Sequence, residues 1–553
     1  MFELHLRQKS TAFQIEKRCK ALAKVIKARR APPWPCVPTP ELPAKVVSDA
    51  LIECYLRTNE TLLRVLHIPS FRRDYEAVWS PDSNPDPTFL VLLKLVLAIG
   101  ATTYDESFSL RPSAVRWVYE AHTWLSAPDF KHRLGIPSLQ ANILLLIARQ
   151  ATGVGEDLVW ASVGSTLRIA MYMGLHRDPA GLGPSTTTPM VAEMRRRLWN
   201  TILEIALESS LNSGGAPLIS LDHFDTEPPG NFDDDQLTGA EGEVLVPKPD
   251  GTFSQTTTAI ALRSMFPQRL AIVKYLNDLS SRGSYAETLK LDTELRAAYK
   301  TLTRTLQTCK TPTNGPSDLE LRAVDLLLRH YFVALHLPFF APALKETEFA
   351  FSRRVVVESA LRLWRAAFPV PLSQLPTIDD PLARVAISGS GYFRTIAVQA
   401  SIVIAVELTS LMREEESLGL GPVEVRPDLL TALDDFKVWS WKGMETGETN
   451  TKGYLVACLV WAQVDAMRKG MVEEEWVMEV VKAAEEAETR CLGLLEEIEA
   501  RGRQPQDAPF GTATQGVGGD AVVTPDFGVG DWDYMMSDVL FNTAGDPLSW
   551  VFQ

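Results

Sequence analysis

The chain has 553 residues, 46% of them apolar and 22% charged, enough to bury one large helical core or two smaller ones without disulfides or metals. Lys and Arg number 55 against 69 Asp and Glu, and the net charge of −14 excludes a protein that coats nucleic acid with its whole surface, so any DNA contact must be local. The six cysteines (Cys19, Cys36, Cys54, Cys309, Cys458 and Cys491) lie too far apart for a C-x2-C ligand set and read as buried thiols of a reducing compartment.

At the N-terminus, MFELHLRQKSTAF lacks the apolar run of a secretory leader. The first 30 residues carry nine Lys or Arg against Glu3 and Glu16. Ile15, Cys19, Leu22 and Ile26 recur at heptad-like spacing, which predicts a short basic helix with one apolar stripe. Two roles fit it equally. One is a linker and dimerisation helix that also contacts the DNA backbone or serves nuclear import through Lys24, Lys27, Arg29 and Arg30; the other is a helix packed on the body. Six prolines between Pro32 and Pro43 then forbid a helix and predict a stiff spacer, closing a segment 1–43.

From residue 44 to about 500, apolar helical stretches alternate with Pro and Gly breaks and show almost no period-2 alternation, which predicts an all-α, multi-helix body. Its most apolar stretch, Phe89 to Ala101, is short for a membrane span and carries Lys94, so no membrane is expected. Trp160, Val163, Leu167, Ala170 and Met171 share one helix face, and Gly164 lets a neighbour approach. Gly174 is placed to end that helix in the left-handed conformation with Leu175 as its hydrophobic contact, leaving His176 and Arg177 at the C-terminus, where cations are favoured. Asp178-Pro179 then turns the chain. A second helix puts Met194, Leu198, Ile202 and Ile205 on one face, with Glu193 and Arg197 spaced as an ion pair. The acidic loop that follows includes Asp233-Asp234-Asp235, which lacks the spacing of a calcium loop and reads as a solvated charge run.

The string G-L-H-R-D-P, then R-R-R-L-W, then a G-x-P-L-I-S segment, then D-x-x-P-P-x-N-F-D-D resembles the middle homology region of fungal zinc binuclear cluster transcription factors. Upstream, Tyr55 and Val65-Leu66-His67-Ile68-Pro69-Ser70-Phe71 with Tyr75 and Trp79 are similar to its start. Downstream, Leu335-His336-Leu337-Pro338-Phe339 and Phe351-Ser352-Arg353-Arg354 are similar to its later helices, so the resemblance covers about residues 45 to 410. Two positions depart from the family: Asn200 stands where an aromatic is usual and Ala206 where an Asp is usual. The family's six-cysteine DNA-reading cluster has no counterpart in residues 1 to 44. Zinc is therefore expected only with a cluster lying ahead of this chain, and sequence-specific DNA binding does not carry over.

The resemblance implies a nuclear regulator of RNA polymerase II genes, of a metabolic or secondary-metabolite biosynthetic set, with promoter DNA, coactivators and a homo- or heterodimer partner. A cofactor acting through a zinc-cluster partner and, more distantly, an all-α enzyme remain open. No catalytic, cofactor or metal residues are expected. His176-Arg177-Asp178 reads as a helix end, and Ser388-Gly389-Ser390-Gly391 as a loop between helices, since it lacks the strand-turn-helix setting of a hydrolase elbow. There is no H-E-x-x-H and no phosphate-cradling glycine motif.

Residues 501–523 read as a flexible linker. Residues 524–553 hold five aspartates and no Lys or Arg. Trp532, Met535, Met536, Val539 and Leu540 fall on one stripe of a short helix, followed by Phe541. Such an acidic, hydrophobic composition points to an activation segment that folds on a coactivator groove; the alternative is a terminal helix that docks back on the helical body with Trp550 and Phe552 as anchors.

Overall fold

The structure, a computed structural model, describes residues 12–81, 84–128, 134–155, 158–182, 188–239, 245–279, 283–418 and 426–503. These residues form α-helices, short 3-10 turns and loops, with no strand among them, as the sequence pattern predicts. The proposed activation residues Trp532, Met535, Met536, Val539, Leu540 and Phe541 lie outside the described residues.

The chain divides into two units. After α1 (Ala12–Arg30), which belongs to the second, the first unit comprises residues 32–335 and 378–396. Its early helices are α2 (Lys45–Leu56), α3 (Asn59–Leu63), α4 (Ile68–Val78), α5 (Pro87–Tyr104), α6 (Arg111–Leu125), α7 (Ile136–Thr152), α8 (Val159–Tyr172) and α9 (Pro189–Ser213). Then come α10 (Thr257–Ser264), α11 (Phe266–Leu276), α12 (Tyr285–Thr308), α13 (Asp318–His336) and, from the returning segment, α16 (Pro381–Ser388).

The apolar stretch singled out in the sequence is the 18-residue α5, started by Pro87 behind the Asp86 cap, whose side chain accepts from the Thr88 N–H at 3.3 Å. It is long and apolar enough to cross a membrane by composition, as are stretches over α13 and in the later Tyr392–Glu414. In this unit α5 is instead enclosed by α2, α6, α7 and α16, as expected of a helix that is hydrophobic all round. Gly100 permits the contact with α2, because a Cβ there would overlap the Leu51 carbonyl. Lys94 is buried on α5, where it bonds Glu120 of α6 and the Thr39 carbonyl. The proline-rich segment is thus not a free spacer. The Cys36 N–H donates to Thr123 Oγ1 at 3.0 Å, Thr39 reaches Glu120, and Trp34 packs edge-on against Tyr119. Composition alone missed this because the anchors, Lys94 and Glu120, lie more than fifty residues away.

Among the described residues, the second unit comprises 12–31, 336–377, 397–418 and 426–503. It contains α1, α14 (Phe340–Ala343), α15 (Ala350–Ala367), most of α17 (Tyr392–Leu418), α18 (Pro427–Glu445), α19 (Lys452–Arg468) and α20 (Glu473–Arg501). Trp364 of α15 is buried against Phe368, Phe436 and Trp439. The predicted α1 stripe is present: Cys19 and Ile26 are buried, and Ile15 and Leu22 half-buried, against Met444, Tyr454, Cys491, Leu492 and Leu495 of α18, α19 and α20. Of the two roles left open for α1, the described structure shows the helix packed on its unit.

Candidate functional site

The motif-bearing segment is built from two helices and the loop after them. Helix α8 ends as expected: Gly174 has φ +76°, its N–H reaches the Met171 carbonyl, the Leu175 N–H reaches back to the Ala170 carbonyl at 2.9 Å, and Leu175 is fully buried. The close approaches at Gly164 and Gly215 are equally literal. A Cβ on Gly164 would sit 2.8 Å from the Leu218 side chain, and one on Gly215 would sit 2.5 Å from the Trp160 ring. The Thr188 hydroxyl caps α9 by accepting from the Val191 N–H at 3.3 Å, and Gly214 at φ +60° ends it.

Met194, Leu198, Ile202 and Ile205 are all buried, as predicted. The opposite face is buried too, so α9 is a central helix rather than an amphipathic one: Glu193, Arg197, Asn200, Thr201 and Glu204 are all under 9% exposed. Trp199, 1% exposed, meets Phe224 edge-on at 5.7 Å. Asn200, one of the departures from the family pattern, leaves its Oδ1 buried with no hydrogen-bond partner among the described residues.

Three consecutive arginines on α9 hold the motif together, each on a different partner. Arg195 donates to the carbonyls of Met173 and Gly174 at 3.2 and 2.8 Å and so caps α8, the task that the sequence assigned to His176 and Arg177. Arg177 instead lies exposed near Asp225, while the His176 carbonyl accepts from the Asp225 N–H at 3.0 Å. Arg196 grips Asp178 with two bonds of 2.9 and 2.7 Å, and the Ala180 and Glu227 N–H groups add two more. The Arg196 bonds lead in holding the Asp178 carboxyl down at about 2. Arg197, fully buried, bonds Glu193 at 3.1 Å, confirming the predicted i,i+4 pair, and bonds Asp234 at 2.6 Å.

Asp234 corrects the sequence reading of a solvated charge run. It is 3% exposed and accepts from Arg64 at 2.6 Å, from Arg197, and from the Ile68 N–H at 2.8 Å, while its carbonyl meets His67 Nε2 at 2.9 Å. Burial alone would raise its carboxyl, but the two guanidinium groups outweigh that and keep it below the ordinary carboxylate value. Asp233 pairs with Lys248, and only Asp235 is exposed. The VLHIPSF and NFDD strings, far apart in sequence, therefore meet in one ion cluster. Neighbouring Glu60 accepts from Tyr55 Oη at 2.7 Å and from the Val65 and Leu66 N–H groups; burial pushes its carboxyl up to about 7. The Tyr55–Glu60 pair is fully buried, out of reach of a substrate, and the cluster reads as a brace.

The basic residues assigned to import or DNA backbone contact divide in two. Lys24 and Lys27 are exposed on α1. Arg29 is tied to Glu499 of α20 through its carboxylate at 2.6 Å and its carbonyl at 2.8 Å, and Arg30 donates to the Gly447 carbonyl at 2.6 Å.

A zinc cluster does not fit the cysteines of this chain. Cys19, Cys458 and Cys491 border one apolar core with Met444 and Leu495, and Cys36, Cys54 and Cys309 are separately buried. Burial pushes the thiols of Cys19 and Cys491 up to about 11 and about 12, opposite to the thiolate that zinc requires. Among the described residues no group of three or more His, Cys, Asp or Glu is placed to hold a metal.

Residues 52–295 match the fungal specific transcription factor domain, which spans the whole brace. The chain is 32% identical to the transcription factor opdR of Penicillium oxalicum over 93% of its own length and 67% of that protein's. It is 32% identical to the transcription factor lepE of Aspergillus flavus, covering 79% of this chain and 54% of the relative. It is 30% identical to the aspyridones cluster regulator apdR of Emericella nidulans, covering 70% and 53%. The chain thus spans between about half and two thirds of the length of these relatives. No solved structure matches it. The chain belongs to the family of fungal transcription factors that carry the fungal specific transcription factor domain.

Proposed function

We propose that the chain regulates, from the nucleus, transcription of a secondary-metabolite biosynthetic gene set. The observation that carries this is its match over nearly its whole length to a named transcription factor, joined by a relative named as regulator of the aspyridones cluster. In this reading residues 44–500 are the regulatory body, and Lys24 and Lys27 are the exposed part of an import or DNA-backbone signal whose Arg29 and Arg30 also hold α1 in place. Residues 524–553 are the activation segment, with Trp532, Met535, Met536, Val539, Leu540 and Phe541 entering a hydrophobic groove on a coactivator. The buried cysteines, with the thiols of Cys19 and Cys491 pushed up, do not suit a zinc cluster, which supports acting on promoters together with a zinc-cluster module or partner.

The test is a fusion of the full chain to an unrelated DNA-binding domain upstream of a reporter gene. Reporter activation is expected, together with its loss in a Trp532→Ala, Leu540→Ala, Phe541→Ala variant. A silent fusion present in the nucleus at normal abundance would refute the regulator reading; a fully active triple variant would refute the placement of the activation segment.

A further inference from the structure

The first unit holds a partly open cavity of about 100 Å³ between α3, α7, α9 and α13 and the turn that joins α16 to α17. That volume exceeds several-fold what one water needs. Most of the wall is apolar, with Ile205, Val324 and Leu327 among its members. The turn is the Ser388-Gly389-Ser390-Gly391 string, and it lies flat on the end of α7. The Ser390 N–H donates to the Gln150 carbonyl at 3.1 Å, and a Cβ on Gly391 would come within 2.7 Å of the Gln150 Cβ. Glycine is required there for the turn to close one side of the cavity.

Two polar groups on this wall have no protein partner among the described residues. The Tyr392 hydroxyl is buried and makes no hydrogen bond. Glu208, half-buried because it faces the cavity, makes no hydrogen bond or ion pair, whereas Glu204 one turn earlier takes two bonds of 2.6 Å from buried Arg269. Buried polar groups are normally bonded, so the unbonded Tyr392 hydroxyl, beside a half-buried Glu208 carboxyl that has no hydrogen bond either, points to a missing third party. The charge balance says of what kind. Arg269 already neutralises Glu204, and Arg394, the guanidinium among the lining residues, is half-buried and engaged in an interaction of its own, so neither stands as a free cation for an anionic ligand. Burial, helped by the Glu204 charge, pushes the Glu208 carboxyl up to about 8, so at neutral pH it is protonated and offers one donor and one acceptor side by side.

We propose that this cavity is a binding site for a small, largely apolar and electrically neutral molecule whose polar end pairs a donor and an acceptor with Glu208 and takes the Tyr392 hydroxyl proton as a further hydrogen bond. The test uses the full chain and three probes of one shape and different charge: benzamide, benzoate and benzylammonium. In calorimetric titration at pH 7, benzamide binds at least tenfold tighter than either charged probe. Glu208→Gln, which keeps a donor and an acceptor, changes benzamide affinity by less than about threefold, while Glu208→Leu combined with Tyr392→Phe weakens it at least tenfold. No binding of benzamide, equal binding of a charged probe, or unchanged affinity in a double variant with native circular dichroism each overturns the proposal. If the double variant does not fold, a diazirine-bearing benzamide photolysed on the parent chain replaces it. Labelling in 389–394 or around Glu208 supports the site, and labelling confined elsewhere overturns it.

Discussion

Asp178→Asn tests the arginine brace most cleanly, because it keeps the shape of the side chain while removing its charge. The Asp178 carboxyl falls from its ordinary 3.8 to about 2 in the folded chain, led by the two Arg196 bonds. A drop of that size corresponds to about 2 kcal/mol of extra stability for the ionised form, and screening at the solvent-facing edge of the pair trims it to about 1–2 kcal/mol. The sign follows from linkage: a depressed carboxylate contributes its stability above the unfolded-state value and loses it as pH falls from about 3.8 toward 2. At pH 7 the asparagine variant should therefore melt about 2–4 °C below the parent. In urea titrations the gap between the two should hold at pH 7 and pH 5 and shrink at pH 3. A variant as stable as the parent at pH 7, or a gap that does not change with pH, would show that the Asp178–Arg196 pair does not brace the motif.

The remaining predictions concern other parts of the same frame. Trp199→Ala empties a site that is 1% exposed and should cost about 3–5 kcal/mol, read as an early urea transition. Asp234→Ala leaves Arg64 and Arg197 buried without their shared carboxylate and should destabilise by about 3–5 kcal/mol, more than Asp178→Asn in the same assay. Gly174→Ala forces a side chain into φ +76° and should cost about 1–2 kcal/mol in thermal unfolding, with reporter activity unchanged below the melting point. The purified chain should bind duplex DNA weakly and without sequence preference, with affinity falling steeply in salt; nanomolar, sequence-selective gel shifts would contradict this.

What the sequence made legible was whatever is set by neighbours along the chain. The end of α8 at Gly174, the Glu193–Arg197 pair and the buried face of α9 all depend on residues within one or two helical turns, and each appears as read. What stayed hidden depends on partners far away in sequence. Asp234 looks solvated because Arg64 stands 170 residues upstream of it, and the proline-rich segment looks free because Lys94 and Glu120 are out of view. The capping of α8 by Arg195 was missed for the same reason: nearby His176 and Arg177 satisfy the local rule, but the tertiary fold presents a better donor. The family motifs themselves were visible, and the structure supplies their physical reason, since R-R-R pairs with the Asp178 of R-D-P through Arg196 and with the Asp234 of N-F-D-D through Arg197.

The account rests on this chain controlling transcription, and the most direct measurement is transcript sequencing after deletion of its gene in the source organism and again after restoring it. The account predicts that a co-located group of biosynthetic genes falls in expression on deletion and recovers on restoration with the parent chain. Transcript levels that stay unchanged for every such group, under conditions where the chain is made, would contradict it.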